Sequence, residues 1–378
     1  MNLLIEGERP VKKSPLITVA VVVIVLLIVV LAALYFQHVR SQKRAVMQQD
    51  AKEYLSTSTP QGILFFSAIT KSSTTQKISG VVSGVFDNAH EKAYDLNIAK
   101  VNRFPALVQQ FNFSSDSQWV TFIAAPVATS SGTSTVFVQK NWAVYRAKAD
   151  GTFNRDIFIN LLSSSSQLTT VSDSDYVQGF PSIETDGTTV YDSLPKNVFE
   201  SLQGNYATAR ASDWSIFIVR PAGNSTLITN GLHPKWVDLN TIAYLKDDGV
   251  YLYDLKNSSE TLVMRSNAPV TVADGFDVTN DGSSFVITEP SIGIVSYGFF
   301  PSAARAQASA HTMSVTASNP VFSPDGNFIA LLTRRQSSSS NGPELNVEYY
   351  DVHQKAFAKS RSLLDQSTIN GIYLTDWR

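Results

Sequence analysis

The chain has 378 residues, of which 43% are hydrophobic and only 16% charged, with a net charge of −2 and no cysteine. Soluble domains usually carry about 25% charged residues; here Ser and Thr fill the deficit, which points to a neutral, loop-rich β surface and away from nucleic-acid binding, whose footprint is basic. Without cysteine, disulfides, cysteine-ligated zinc, thiol catalysis and a lipidated-cysteine anchor are all excluded, and the length leaves room for one large domain or two ordinary ones.

Residues 1–15 read as a short cytoplasmic tail and residues 16–36, LITVAVVVIVLLIVVLAALYF, as a transmembrane helix. The 21 residues carry no charge, and at about 1.5 Å per residue they span roughly 30 Å, the hydrocarbon thickness of a bilayer. The β-branched bias would suit a buried strand, but strands are rarely this long, and in lipid a helix satisfies every backbone group internally. Tyr35 stands where an interfacial aromatic belongs. The competing reading is a cleaved signal peptide, whose apolar region runs about 7 to 15 residues before a small-x-small site; this one is longer and runs into the bulky LYFQHVR. The lipid bilayer is thus one expected partner. The flanking charges tie, Arg9, Lys12 and Lys13 before and Arg40, Lys43 and Arg44 after, so the positive-inside count does not set the orientation.

Residues 37–59 form a stalk or linker. HVRSQKRAVMQQDAKEYL lacks Gly and Pro and favours helix, with a solvated linker as the alternative; STSTPQG ends it. From residue 60 to 378 the pattern changes to short apolar runs of period two, broken by Gly, Asp, Asn and Ser, which is a β signature.

These runs repeat. NPVFSPDGNFIALLT has partners in DGFDVTNDGSSFVITEP, HPKWVDLNTIAYLKD, GFPSIETDGTTVYDSL and VQQFNFSSDSQWVTFIAAP. The turn residues Asp238, Asp281 and Asp325 are 43 and 44 apart; Asp186 lies 52 before Asp238, and Asp116 a further 70 before that, across a Ser- and Thr-rich insertion. In Ser323-Pro324-Asp325-Gly326, Pro324 presets the first corner of a type I turn, Asp325 tolerates the second, and Gly326 takes the left-handed conformation. A second half-unit of strand, polar turn and strand begins at Trp142, Trp214, Gly249 and Leu345. The two half-units alternate and make four short antiparallel strands in about 44 residues, the size of one propeller blade. A blade cannot bury both faces alone; stacking in a ring buries them.

FSPDGNFIALLT resembles the repeat of TolB-type β-propellers, and YRAKADGT and IVRPAGNSTLIT are similar to the Ala-Asp-Gly turn and outer strands of that repeat. The full Ser-Pro-Asp-Gly match occurs once, at 323–326. The fold class expected is therefore an all-β propeller of four-stranded blades behind one transmembrane helix. Five blades start near residues 108, 178, 231, 274 and 319. The strand NGIYLTDWR near the end of the sequence, paired with residues 61–101, would complete a sixth, with five or seven blades as alternatives. The resemblance implies a cell-envelope setting, with the large domain outside the membrane.

No catalytic, cofactor-binding or metal-binding residue is assigned. His38, His90, His233, His311 and His353 show no metal-ligand spacing and no H-E-x-x-H, and His233-Pro234 suits a turn or packing role. There is no G-x-S-x-G nucleophile elbow. Paired Asp247 and Asp248 before Gly249 lack the flanking ligands of a calcium loop, the turn aspartates sit one blade apart, and GVVSGVFDN at 80–88 reads as a β turn. The function expected is a membrane-anchored extracytoplasmic propeller serving as a protein-interaction module or cell-envelope scaffold, its protein partner unidentified; whether it is also an enzyme stays open, with the weight against. The alternative is a ligand- or glycan-binding propeller, possibly a hydrolase, with its site in the central funnel. Fold alone does not decide between them.

Overall fold

A computed structural model describes residues 60–71, 78–89, 92–95, 100–101, 104–126, 142–149, 165–169, 176–202, 209–301, 309–336, 343–362 and 369–378. The expected tail, membrane helix and stalk lie outside these residues. Among the described residues no helix is long and apolar enough to cross a membrane.

Six antiparallel sheets make six blades. Blade 1 holds β1 (Ile63–Lys71), β2 (Ile78–Asp87) and β3 (Lys92–Asp95). Blade 2 runs through β4 (Lys100–Val101), β5 (Phe104–Phe113), β6 (Trp119–Pro126), β7 (Ala143–Lys148) and β8 (Ser166–Gln167). Blade 3 comprises β9 (Tyr176–Ile183), β10 (Thr189–Pro195), β11 (Ser215–Val219) and β12 (Thr226–Asn230), with the short helix α1 (Lys196–Ser201) after β10. Blade 4 is β13 (Leu232–Asp238), β14 (Thr241–Lys246), β15 (Gly249–Asp254) and β16 (Ser259–Arg265). Blade 5 is β17 (Gly275–Val278), β18 (Ser284–Glu289), β19 (Ile294–Phe299) and β20 (Ser309–Ser314). Blade 6 is β21 (Ala317–Phe322), β22 (Phe328–Gln336), β23 (Pro343–Asp351) and β24 (Ala356–Ser362).

The sheet of blade 1 is completed from both ends of the domain. Strand β25 (Ile369–Trp377) pairs antiparallel with β1, Leu64 opposite Trp377 and Ser67 opposite Tyr373. It thereby becomes the innermost strand of blade 1. The inner strands β25, β5, β9, β13, β17 and β21 each touch the next, and β21 touches β25, so the ring has no open edge at its centre. Trp377 locks the seam: its indole N–H donates to Gln61 O at 2.6 Å, and the Arg378 N–H donates to Ile63 O at 2.8 Å.

Burial follows position in the blade. The second strands are buried on both faces between neighbouring blades, as in Ser284–Glu289 of β18 and Phe328–Leu332 of β22. A continuous apolar run is what such a position requires, and each fully buried aliphatic or aromatic side chain contributes about 1.5–3 kcal/mol. The outer strands β12 and β16 are largely exposed and alternate with polar residues.

The turn aspartates share one bond. Asp116, Asp186, Asp238, Asp281 and Asp325 each accept, through Oδ1, the backbone N–H two residues on, at 3.0, 2.7, 2.8, 3.0 and 3.0 Å. In three of these turns a hydroxyl two residues earlier, from Ser114, Thr279 or Ser323, also donates to the same carboxylate. Gly187, Gly282 and Gly326 follow their aspartates with φ of +82°, +66° and +72°, and Ser117 takes the same role at +57°.

GVVSGVFDN is not a turn. Its residues through Asp87 lie in β2, opposite β1. Gly84 is there because a Cβ would overlap the ring of Phe66, so its glycine serves close packing within a strand. Glycines spaced by three residues carry no signal that separates this use from a turn.

Candidate functional site

The inner strands line a central channel. Four of them carry a non-glycine residue in the left-handed region: Gln110 (φ +56°), Phe180 (+42°), His233 (+52°) and Asn319 (+48°). The pairing register slips beside each one, between Gln109 and Asn112, Val190 and Asp192, Leu232 and Lys235, and Ser318 and Val321. These are β-bulges, which bend a strand and re-aim its side chains. A left-handed phenylalanine is uncommon and costs energy that its surroundings must supply; the Phe180 ring is stacked on the His233 ring at a centroid distance of 3.6 Å, and its N–H donates to Gln110 Oε1 at 2.6 Å.

A series of polar clamps runs around the channel, and in β5, β9 and β13 it stands two residues beyond the bulge. Asp376 Oδ2 of blade 1 accepts the Phe113 N–H of blade 2 at 2.5 Å. Asn112 Oδ1 of blade 2 accepts the Ile183 N–H of blade 3 at 3.2 Å, and Ser182 Oγ of blade 3 accepts the Trp236 N–H of blade 4 at 3.5 Å. Lys235 occupies this position in blade 4 and cannot accept; its ammonium pairs instead with Asp277 Oδ1 of blade 5 at 2.9 Å. Asp277 Oδ2 then accepts the Phe322 N–H of blade 6 at 2.9 Å. From blade 1 round to blade 6, each inner strand is thus pinned to the next by a side chain reaching across the blade interface.

On the hairpin face these clamps floor a polar funnel of about 220 Å³ that opens to solvent. Arg378 crosses it: Nη1 donates to Asn280 Oδ1 of blade 5 at 2.8 Å, and Nη2 to Phe113 O of blade 2 at 2.6 Å, while Nη2 also lies 3.2 Å from Asp376. Burial pushes the Asp376 carboxyl upward, opposed by the Arg378 charge and the Phe113 N–H. Glu184 and Asp238 stand at the rim with no cation partner among the described residues, beside Trp236 and Leu239, the latter 60% exposed.

Deeper in the channel, a second, small space of about 40 Å³ is lined by residues of all six inner strands, including Gln110, Phe180, His233, Asn319, Tyr373 and Thr375. His233 is buried. Burial lowers its imidazole to about 3, with the Lys235 charge adding to the effect, so the ring is neutral at ordinary pH. Its backbone N–H donates to Asp192 Oδ2 at 2.8 Å. Asp192 is fully buried, and burial raises its carboxyl to about 7 against the opposing His233 N–H.

The other residues singled out in the sequence are spent on structure. Asp247 accepts the N–H and hydroxyl of Ser212, at 2.8 and 2.7 Å. Asp248 accepts the Tyr251 hydroxyl and pairs with Arg265. His353 Nε2 lies 2.7 Å from Asn327 Oδ1, and His311 meets the ring of Tyr297 edge-on. His38 and His90 lie outside the described residues. Among the described residues no cluster of three His, Asp or Glu side chains is set to hold a metal ion. The sequence missed the clamps. Asn112, Ser182, Lys235, Asp277 and Asp376 differ in type, and only their shared place at the blade interfaces relates them.

No family model matches this chain, and no curated protein matches it. Solved structures do. TolB from Acinetobacter baumannii is 14% identical, with a TM-score of 0.51 over 83% of this chain and 67% of that one. The likeness is one of fold: this domain is a TolB-like β-propeller in architecture. A putative TolB from Agrobacterium tumefaciens (12% identity, TM-score 0.45, 82% of this chain and 90% of that one) and an oligogalacturonate lyase in complex with manganese (11%, 0.43, 76% and 74%) also match.

Proposed function

We propose that this chain is a membrane-tethered, extracytoplasmic propeller that acts as a protein-interaction module, receiving a segment of its partner at the hairpin-face funnel. The observation that carries this reading is the state of the funnel's charges. Lys235 is paired with Asp277 and Arg378 with Asp376, all four largely buried, so these groups hold the blades and do not present a free acid–base pair. What remains accessible is a rim of Trp236 and exposed Leu239 beside Glu184 and Asp238. An apolar anchor with unpaired carboxylates suits a partner segment that brings an apolar side chain next to a Lys or Arg. The apolar run at 16–36 supports the tether, and a cysteine-free chain suits an oxidising compartment.

Site-specific photo-crosslinking in intact cells tests the docking face. A crosslinking residue at Leu239 should trap a partner that one at Leu227, exposed on the outer strand β12, does not. The adduct should weaken when Glu184 and Asp238 are both changed to Lys. Equal adducts at both positions, or none at Leu239, would count against the funnel. Orientation is read separately: the single cysteine of Ser225→Cys, in an exposed turn, should react with a membrane-impermeant maleimide on intact cells, and protection until lysis would refute an extracytoplasmic domain.

A further inference from the structure

On the hairpin face the fold twice sets an arginine against an aromatic ring beside an acid. Arg378 lies over the Phe113 ring, 5.6 Å from its centroid, and pairs with Asp376. Arg146 lies over the Trp119 ring at 5.4 Å, with the Asp186 charge beside it, and donates to Gly187 O at 2.7 Å. A third aromatic, Trp236, lines the funnel together with Glu184 and Asp238. No arginine of the chain fills this third place: among the described residues no cation lies over Trp236 or pairs with either acid.

The three groups are already held in position. The Trp236 indole N–H donates to Ser182 O at 3.2 Å, which orients the ring. Glu184 Oε1 accepts the N–H and the hydroxyl of Thr185, at 2.9 and 3.0 Å, and Asp238 Oδ1 accepts the Asn240 N–H at 2.8 Å. Each carboxylate is thus anchored through one oxygen, and among the described residues Glu184 Oε2 and Asp238 Oδ2 have no hydrogen-bond partner. The floor adds no free charge, because Lys235 is paired with Asp277 and Arg378 with Asp376. Below the clamps the channel keeps only about 40 Å³. The funnel, about 220 Å³, therefore takes in a side chain and not a threaded strand.

This arrangement separates arginine from lysine. A guanidinium is planar, so it stacks on an indole face while its N–H groups reach carboxylates in its own plane. An ammonium is a compact point charge that meets one acid at a time, and it is more strongly hydrated, so desolvating it costs more. We propose that the funnel is an arginine-selective subsite, in which one arginine side chain of the partner segment stacks on Trp236 and is shared between Glu184 and Asp238. The assignment rests on the funnel being the docking face and names the residue recognised there.

The full chain in detergent micelles, labelled with 15N-tryptophan, is titrated with Ac-Ala-Arg-Leu-NH2 and with the same peptide carrying lysine or citrulline in place of arginine. The Trp236 Nε1 resonance, assigned by its loss in Trp236→Phe, should move with the arginine peptide. The lysine peptide should bind at least fivefold more weakly, and neutral citrulline should leave the resonance in place. Glu184→Gln with Asp238→Asn keeps an acceptor for each backbone N–H, so the turns stay capped; it should weaken the arginine peptide about tenfold. Equal binding of the arginine and lysine peptides, an unchanged affinity in the double variant, or a Trp236 resonance that no peptide moves would each overturn the subsite. A crosslink at Leu239 with a silent Trp236 would keep the docking face and remove the arginine. A Trp236 response to the arginine peptide with no crosslink at Leu239 would support the subsite and remove the partner reading.

Discussion

Asp376, on the last strand of the ring, accepts the backbone N–H of Phe113, 263 positions earlier in the chain, at 2.5 Å. The same carboxylate sits beside Arg378, whose guanidinium lies over the Phe113 ring at 5.6 Å from its centroid. One buried acid therefore joins the closing strand to the blade that follows it. Asp376→Ala should lower the unfolding free energy by about 3 kcal/mol, because it removes a hydrogen bond to a charged acceptor and leaves Arg378 partly buried without its counterion. Asp376→Asn, which keeps an acceptor for the N–H, should cost less than half as much. Urea denaturation of both variants measures the difference; equal losses would show that the N–H clamp contributes nothing.

Deleting residues 370–378 removes most of the inner strand of blade 1, the Trp377 bond to Gln61 and the clamp on Phe113. The deletion exposes both the channel wall of blade 1 and the edge of β1. The truncated chain should lose its single cooperative thermal transition and become prone to aggregation. An unchanged melting temperature would contradict the closure.

The Asp192–His233 contact predicts a compensated pH profile. The folded-state pKa of Asp192 is raised from 3.8 to about 7. Its protonated form is favoured in the native state, so its contribution to stability is present below about pH 4 and is lost as pH rises to about 7. The folded-state pKa of His233 is lowered from 6.5 to about 3, so its contribution is present above pH 6.5 and is lost as pH falls toward 3. Across the shared window the two slopes have opposite signs and offset one another. Asp192→Asn should leave stability rising with pH between about 3 and 6.5; His233→Asn, which tolerates the left-handed backbone, should leave it falling between about 4 and 7. Denaturant titrations across this range decide it, and two variants with parallel profiles would refute the assignment.

The turn aspartates should not be equivalent. Asp325 accepts from the Asn327 N–H, the Asn327 side-chain amide and the Ser323 hydroxyl, whereas among the described residues Asp238 accepts only from the Asn240 N–H, and it is exposed. Asp325→Ala should therefore cost about 2 kcal/mol and Asp238→Ala under about 1. Melting temperatures of the two variants in the same buffer would show the order.

Much of the blade architecture was legible in the chain because it is local. Asp-Gly pairs at intervals of 43 and 44 residues fix where strands reverse, and continuous apolar runs such as Phe328–Leu332 mark strands covered on both faces. The closing strand was legible too, as an unpaired opening strand facing a stretch with no hairpin of its own. The paired glycines of β2 misled, since Gly84 answers to the Phe66 ring, a neighbour that no spacing rule contains.

The channel belonged to the tertiary structure alone. Asn112, Ser182, Lys235, Asp277 and Asp376 share no residue type, and His233 sits in an unremarkable His-Pro pair. Their roles arise when six inner strands bring separate positions to one axis, where low dielectric shifts Asp192 and His233 in opposite directions. A sequence records turns and burial because they depend on neighbours along the chain. It cannot record which side chains meet across a ring, because that depends on how many blades close it and in what register.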